Sequence, residues 1–146
     1  MSGPFKLERF IEAQEPVFAR VCAELAAGRK QSHWMWFIFP QLAGLGSSAT
    51  ATHYAISSLE EARAYLAHPV LGARLRECTC LVNDIEGRTI EGIFGYPDYL
   101  KFRSCMTLFA NAAESARTAD GADPFRAALR RYFAGEEDPL TRRLLG

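Results

Sequence analysis

Between Gln31 and Leu59 the chain carries no Lys, Arg, Asp or Glu, although charged residues make up 23% of its 146 positions. The window opens with Ser32-His33-Trp34-Met35-Trp36-Phe37-Ile38-Phe39-Pro40-Gln41 and runs on through Gly44-Leu45-Gly46-Ser47-Ser48. Both tryptophans and two of the three histidines lie inside it. So apolar a stretch is expected to be buried, and its few polar atoms must then be hydrogen-bonded or bind something. The fold has to close around this segment, or around a site that it lines.

A chain of 146 residues, 49% of them hydrophobic, suits one globular domain with a real core and rules out a disordered or fibrous chain. The 17 basic and 17 acidic residues cancel, six of each falling in residues 1–73 and eleven of each in 74–146. No clustered Lys/Arg excess suggests a nucleic-acid partner. The N-terminal residues lack the apolar stretch of a signal peptide, and the longest apolar run, Trp34 to Phe39, is too short to cross a bilayer. A soluble, cytoplasmic protein without a membrane partner is expected. The four cysteines, Cys22, Cys78, Cys80 and Cys105, form no C-x-x-C pair and read as small buried hydrophobes in a reducing compartment.

The apolar periodicity is helical almost throughout. Leu7, Phe10 and Ile11 predict a first helix ending near Gln14; Pro16 suits the first turn of a second, with Val17, Phe18, Val21, Cys22 and Leu25 inward and Gly28 as its stop. Ser32 is the expected cap of a brief turn ended by Pro40, and Ala49–Tyr54 reads either way. Ser58, with Glu61 three residues on, has the spacing of a capping box. His68-Pro69 breaks that helix and starts another, closed by Gly87, with the imidazole expected to satisfy carbonyls at the joint. Thr89 starts a short turn to Gly95, Pro97 a longer helix, Asp123-Pro124 a helix ended by Gly135, and Asp138-Pro139 a last turn; residues 115–122 read as a loop. Without a convincing strand, repeat or linker, residues 1–146 are expected to form a single all-α domain: compact, multihelical, and built of short helices started by prolines.

Two groups of residues have the chemistry of a site. In the window, Trp34 and Trp36 would stack a flat or sugar-like group, and Gln41 and Ser47 would supply polar contacts. His33 is the candidate acid–base group, since imidazole titrates near neutrality. In the second group Asp98 stands three residues before Lys101, near Arg103, among Phe94, Tyr96, Tyr99 and Phe102. Lys101 and Arg103 would hold an anion, and Asp98 is a second candidate base. Both groups also admit a plain structural reading, the rings as core and the charges as a solvated helix face. No phosphate loop, dinucleotide fingerprint, zinc motif or nucleophile elbow is present, so neither metal nor cofactor is expected.

The blocks Phe10-x-x-Ala13-Gln14, Gly28-x-Lys30-x-Ser32-His33-Trp34-Met35-Trp36-Phe37-Ile38-Phe39-Pro40-Gln41, Gly44-Leu45-Gly46 and Tyr54-x-Ile56 recur in a known family. So do Glu61-Ala62-x-x-Tyr65-Leu66-x-His68-Pro69-x-Leu71-Gly72-x-Arg74-Leu75, Ile93-Phe94-Gly95, Asp98-x-x-Lys101 and Ser104-x-Met106-Thr107-Leu108-Phe109. Through them the chain resembles bacterial "domain of unknown function 1810" proteins over nearly its whole length. The resemblance implies a compact multihelical domain and supplies no reaction. Relatives often carry the automatic label calpastatin, but that inhibitor is extended and disordered whereas this chain is apolar and aromatic. Two functions are expected from the residues: binding or conversion of a small molecule, such as a nucleotide-derived or ADP-ribose-type metabolite, or docking of a partner peptide without catalysis. The oligomeric state is left open.

Overall fold

The structure, a computed structural model, describes residues 5–116 and 124–146. Ten helices occur among them: α1 Glu8–Gln14, α2 Phe18–Ala26, α3 Met35–Ile38, α4 Ala49–His53, α5 Leu59–Ala67, α6 Leu71–Asn83, α7 Ile90–Phe94, α8 Asp98–Ala116, α9 Pro124–Phe133 and α10 Pro139–Leu145. The fold is all-α, as the periodicity predicts. α8 is the axis, with α5, α7, α9 and α10 packed on it, α6 bracing α2, α5 and α9 from outside, and α1 lying on α3. Among the described residues the single extended contact is a parallel bridge at Leu42 and Ile56, where Ile56 N–H donates to Gln41 and Ala43 N–H to Ile56. These two bonds close the loop that carries α4.

The helix starts follow from side-chain acceptors for otherwise unbonded N–H groups. Ser48, Ser58, Thr89 and Asp138 each accept from the residue three positions on and cap α4, α5, α7 and α10. The stretch Ala49–Tyr54, ambiguous by pattern, is helical through that serine. Glu61 completes a variant of the capping box: its carboxylate reaches past Ser58 to the backbone N–H and hydroxyl of Ser57. Some starts differ from expectation. Glu15-Pro16 lies in a turn closed by Val17 N–H on the Gln14 carbonyl, so α2 begins at Phe18. Ser32 caps nothing, because its hydroxyl donates to Glu24 instead. His68 serves N–H groups rather than carbonyls: its Nδ1 accepts from Val70 and Leu71 at the head of α6. The long helix opened by Pro97 extends to Ala116, and the rest of the expected loop, with Asp123, lies outside the described residues.

The charge-free window divides in two. Trp34, Met35, Ile38, Phe39, Pro40 and Leu42 are buried, with Phe39 edge-on to Phe94 and Phe102 at 5.8 and 5.1 Å between ring centres. Residues 43–53 are mostly exposed, contrary to the expectation of burial. Small Ala, Gly, Ser and Thr residues make up most of that stretch, and they can stand in water without charge. The buried half is tied down by polar side chains from outside the window. Gln14, fully buried, donates to the Phe37 carbonyl at 2.8 Å and the Tyr65 hydroxyl at 3.0 Å, and accepts from Arg74. Glu24 accepts from the backbone of Gln31 and Ser32, the Ser32 hydroxyl and the Trp34 indole. Burial pushes the Glu24 carboxyl up, but these four hydrogen bonds together outweigh it and hold the pKa below its ordinary value of 4.5.

Two measurements check these contacts. At Gly72, the crossing of α5 and α6 is so close that an added Cβ would lie 2.1 Å from the Leu66 carbonyl oxygen. Gly72→Ala should therefore lower stability by about 3 kcal/mol, a fall in Tm of roughly 10 °C. Glu24, whose folded-state pKa is depressed, stabilises fully above pH 4.5 and progressively less as acidification protonates it in the fold. Wild type should thus lose stability as the pH drops below about 4.5, and Glu24→Gln should melt lower at pH 7 with a shallower acid slope; equal slopes in the two proteins would remove Glu24 from the account.

Candidate functional site

One open cleft of about 550 Å³ runs between the aromatic block and the start of α8. Its lining comes from Trp36 of α3 and Gln41, just beyond it, and from Pro97, Leu100, Lys101 and Ser104 around the start of α8. Leu45 to Ser48, Ala51 of α4, and Asp138 and Leu140 at the head of α10 complete it. The local geometry has definite causes. The bridge to Ile56 pins the Gln41 backbone, so its side chain is delivered at a fixed place. Gly46 passes so near α4 that an added Cβ would stand 2.8 Å from that of Ala51, which draws the loop against the cleft. Behind the shared wall of Trp36, Gln41, Gly46, Ala51 and Lys101 lies a cavity of about 20 Å³, room for about one water.

The charge at this wall is set by three side chains. Lys30, 8% exposed, sits 2.9 Å from Asp98 and 5.1 Å from the centre of the Trp34 ring. Lys101 is farther from the same carboxylate, at 3.7 Å, and rests 5.0 Å from the centre of the Trp36 ring. Asp98 therefore serves mainly as counter-ion to the buried lysine. Lys101, a quarter exposed, is held over an aromatic face by cation–π attraction with its ammonium at the cleft.

Trp36, Gln41 and Ser47 of the charge-free window and the sequence-distant Lys101 line this one cleft. The other candidates lie elsewhere. Trp34 is a core residue whose indole N–H is bound by Glu24 at 3.0 Å. Asp98 does not line the cleft and lies between two ammonium groups. Arg103 faces the link between α9 and α10, donating to the carbonyls of Glu136 and Glu137 at 3.2 and 3.0 Å. His33 is exposed on the loop before α3 and lines no part of the cleft. The sequence reading passed over Lys30, which looks like an ordinary cation after a helix stop, and Leu45, Leu100 and Leu140, single leucines on turns and helix faces. The family block containing Gly28-x-Lys30 was the one signal for the lysine.

The remaining surface offers less. Two hollows near the N-terminus share Lys6, Arg9 and His53. All five N–H directions of Arg9 already end on the carbonyls of Phe5, Lys6, His53 and Ala55 and on Glu61, so this guanidinium has no donor left for a ligand. No cluster of three metal-ligating side chains occurs among the described residues, and no described helix is long and apolar enough to cross a membrane. The thiols of Cys78 and Cys105 are buried as expected, and burial pushes both well above the ordinary range; Cys22 is half-buried and Cys80 exposed.

The model of the family "Protein of unknown function (DUF1810)" matches residues 4–145. Among solved structures, the conserved hypothetical protein Rv1873 from Mycobacterium tuberculosis is similar, with 57% identity, a TM-score of 0.91 and 98% of each chain covered. Comparison with curated proteins gives no match. The match over almost the full length, together with the shared fold, establishes that the chain belongs to the DUF1810 family of bacterial proteins.

Proposed function

We propose that this chain binds a small molecule in the cleft between α3 and α8, with the flat apolar part of the ligand against Trp36 and its polar end at Lys101 and Gln41. The observation that carries the reading is the convergence of Trp36, Gln41, Ser47 and Lys101 on one concave surface. An apolar cleft with a few fixed polar groups is the ordinary form of a small-molecule site. A base suits the Trp36 face, so nucleotide-derived metabolites, ADP-ribose compounds included, belong in the test of the cleft, with the charge on each deciding how well Lys101 alone can hold it. Binding is favoured over turnover: the Asp98 carboxylate is already paired and His33 stands apart. Balanced charge argues against a nucleic-acid partner, and four free thiols suit the cytoplasm.

A second reading, a peptide in the same cleft, is favoured by the rim. Leu100 and Leu140 are 40% and 44% exposed there, and Leu144, on the same helix as Leu140, is 46% exposed. Such leucines would accept the apolar side chains of an extended or helical segment.

Thermal melting against nucleotides, ADP-ribose compounds, sugars, amino acids, aromatic acids and short apolar peptides separates these readings. A ligand at a hundred times its Kd should add about 2.7 kcal/mol, raising Tm by roughly 10 °C. Trp36→Ala should keep the helical circular dichroism and lose that shift. A small-molecule shift that survives Trp36→Ala, or none from the panel, would refute the proposal; a shift from peptides alone would establish the second reading.

A further inference from the structure

We infer that the occupant of this cleft carries a single negative charge on an otherwise apolar body, a carboxylic acid rather than a pyrophosphate, with Lys101 as its counter-ion. The inference rests on the reading of the cleft as a small-molecule site, and it follows from a count of charges. Among the described residues, Lys101 is the one cation lining the cleft. Behind it, Asp98 is 2.9 Å from Lys30 and 3.7 Å from Lys101, so the three groups together leave one positive charge, and Lys101 carries it at the surface. At 3.7 Å the Asp98 contact is too long for a close hydrogen bond, which leaves N–H donors of the ammonium for a ligand.

A second negative charge has no equivalent partner. Trp36, Leu45, Leu100 and Leu140 make the nearby walls apolar. An anion pressed against them loses water without gaining a counter-ion. Asp138, the one acidic residue lining the cleft among the described residues, adds repulsion; its carboxylate already accepts from the Thr141 N–H at 2.9 Å and hydroxyl at 2.6 Å. The arginine that would clamp a diphosphate, Arg103, is turned to the backbone of Glu136 and Glu137. The cleft therefore selects on charge in two directions, requiring one anion and rejecting the next.

Isothermal titration of the full chain tests this with 3-phenylpropionate and octanoate, their primary amides, and AMP, ADP and ATP at constant ionic strength. The acid should bind about ten-fold tighter than its amide, the margin of one charge-assisted contact. Lys101→Met, folded by circular dichroism, should reduce the acid to the level of the amide and leave the amide within about two-fold. From AMP to ATP the affinity should stay level or fall. Amides binding as tightly as acids, or affinity rising with each phosphate, would overturn the single-charge inference while leaving the cleft as a binding site. No binding by any of these probes would overturn the single-charge inference, and the melting panel then decides the cleft reading by itself.

Discussion

The chain leaves α2 and enters its aromatic block over one side chain, the Glu24 carboxylate, which gathers the backbone of Gln31 and Ser32, the Ser32 hydroxyl and the Trp34 indole. Everything downstream takes its position from that anchorage. Trp34 held by its indole fixes the start of α3, which places Phe39 edge-on against Phe94 and Phe102 and turns Trp36 outward to the cleft. Lys30, in the same turn, then meets Asp98 at the head of α8. With the Lys30 side chain so little exposed, the pair contributes less through net attraction than through the cost of leaving the lysine's charge without its counter-ion. The aromatic block and the axial helix are thereby held in one register.

Several local signals in this chain were legible because both partners are near in sequence, although the equally short Ser48 cap and His68 contacts were not. Ser58 with Glu61, Thr89 with Gly92 and Asp138 with Thr141 are caps three residues long, and the pattern contains them whole. Signals whose second half lies elsewhere were not. Glu24 and Ser32 belong to one hydrogen-bonded unit, but in the sequence one is a helix-face acid and the other a plausible cap. Gln14 reads as the end of a helix, although its amide reaches Phe37, Tyr65 and Arg74. In each case propensity gave the element and a distant partner decided the side chain's work.

The candidate site was legible to the same degree. Aromatic and cationic residues in the two groups do meet, in the contact of Lys101 with Trp36. Which member of each group faces the cleft depended on rotation within a helix turn: Trp36 faces it and Trp34 the core, Lys101 faces it and Arg103 the link between α9 and α10. Spacing alone orients such neighbours only relative to each other; the packing of α3 and α8 chooses the absolute direction. The absence of charge from residues 31–59 was also two facts in one, a buried aromatic half and an exposed half of small residues. Absence of charge ranks the two together because it does not distinguish rings from small side chains that tolerate water.

The depth of Lys30 has a consequence for the cleft in ordinary media. Mobile ions screen charges that face solvent, with a Debye length of about 8 Å at physiological ionic strength, and act far less on partly buried pairs. Pairs such as Arg74 with Glu15 or Arg103 with Glu136, whose acidic members stand well out in water, weaken as salt is added. The Lys30–Asp98 contact is shielded by protein and keeps Asp98 occupied, so the surplus charge at Lys101 is set by the fold rather than by the medium. Even where the outer ion pairs have faded into the ionic atmosphere, this wall still presents the same sign.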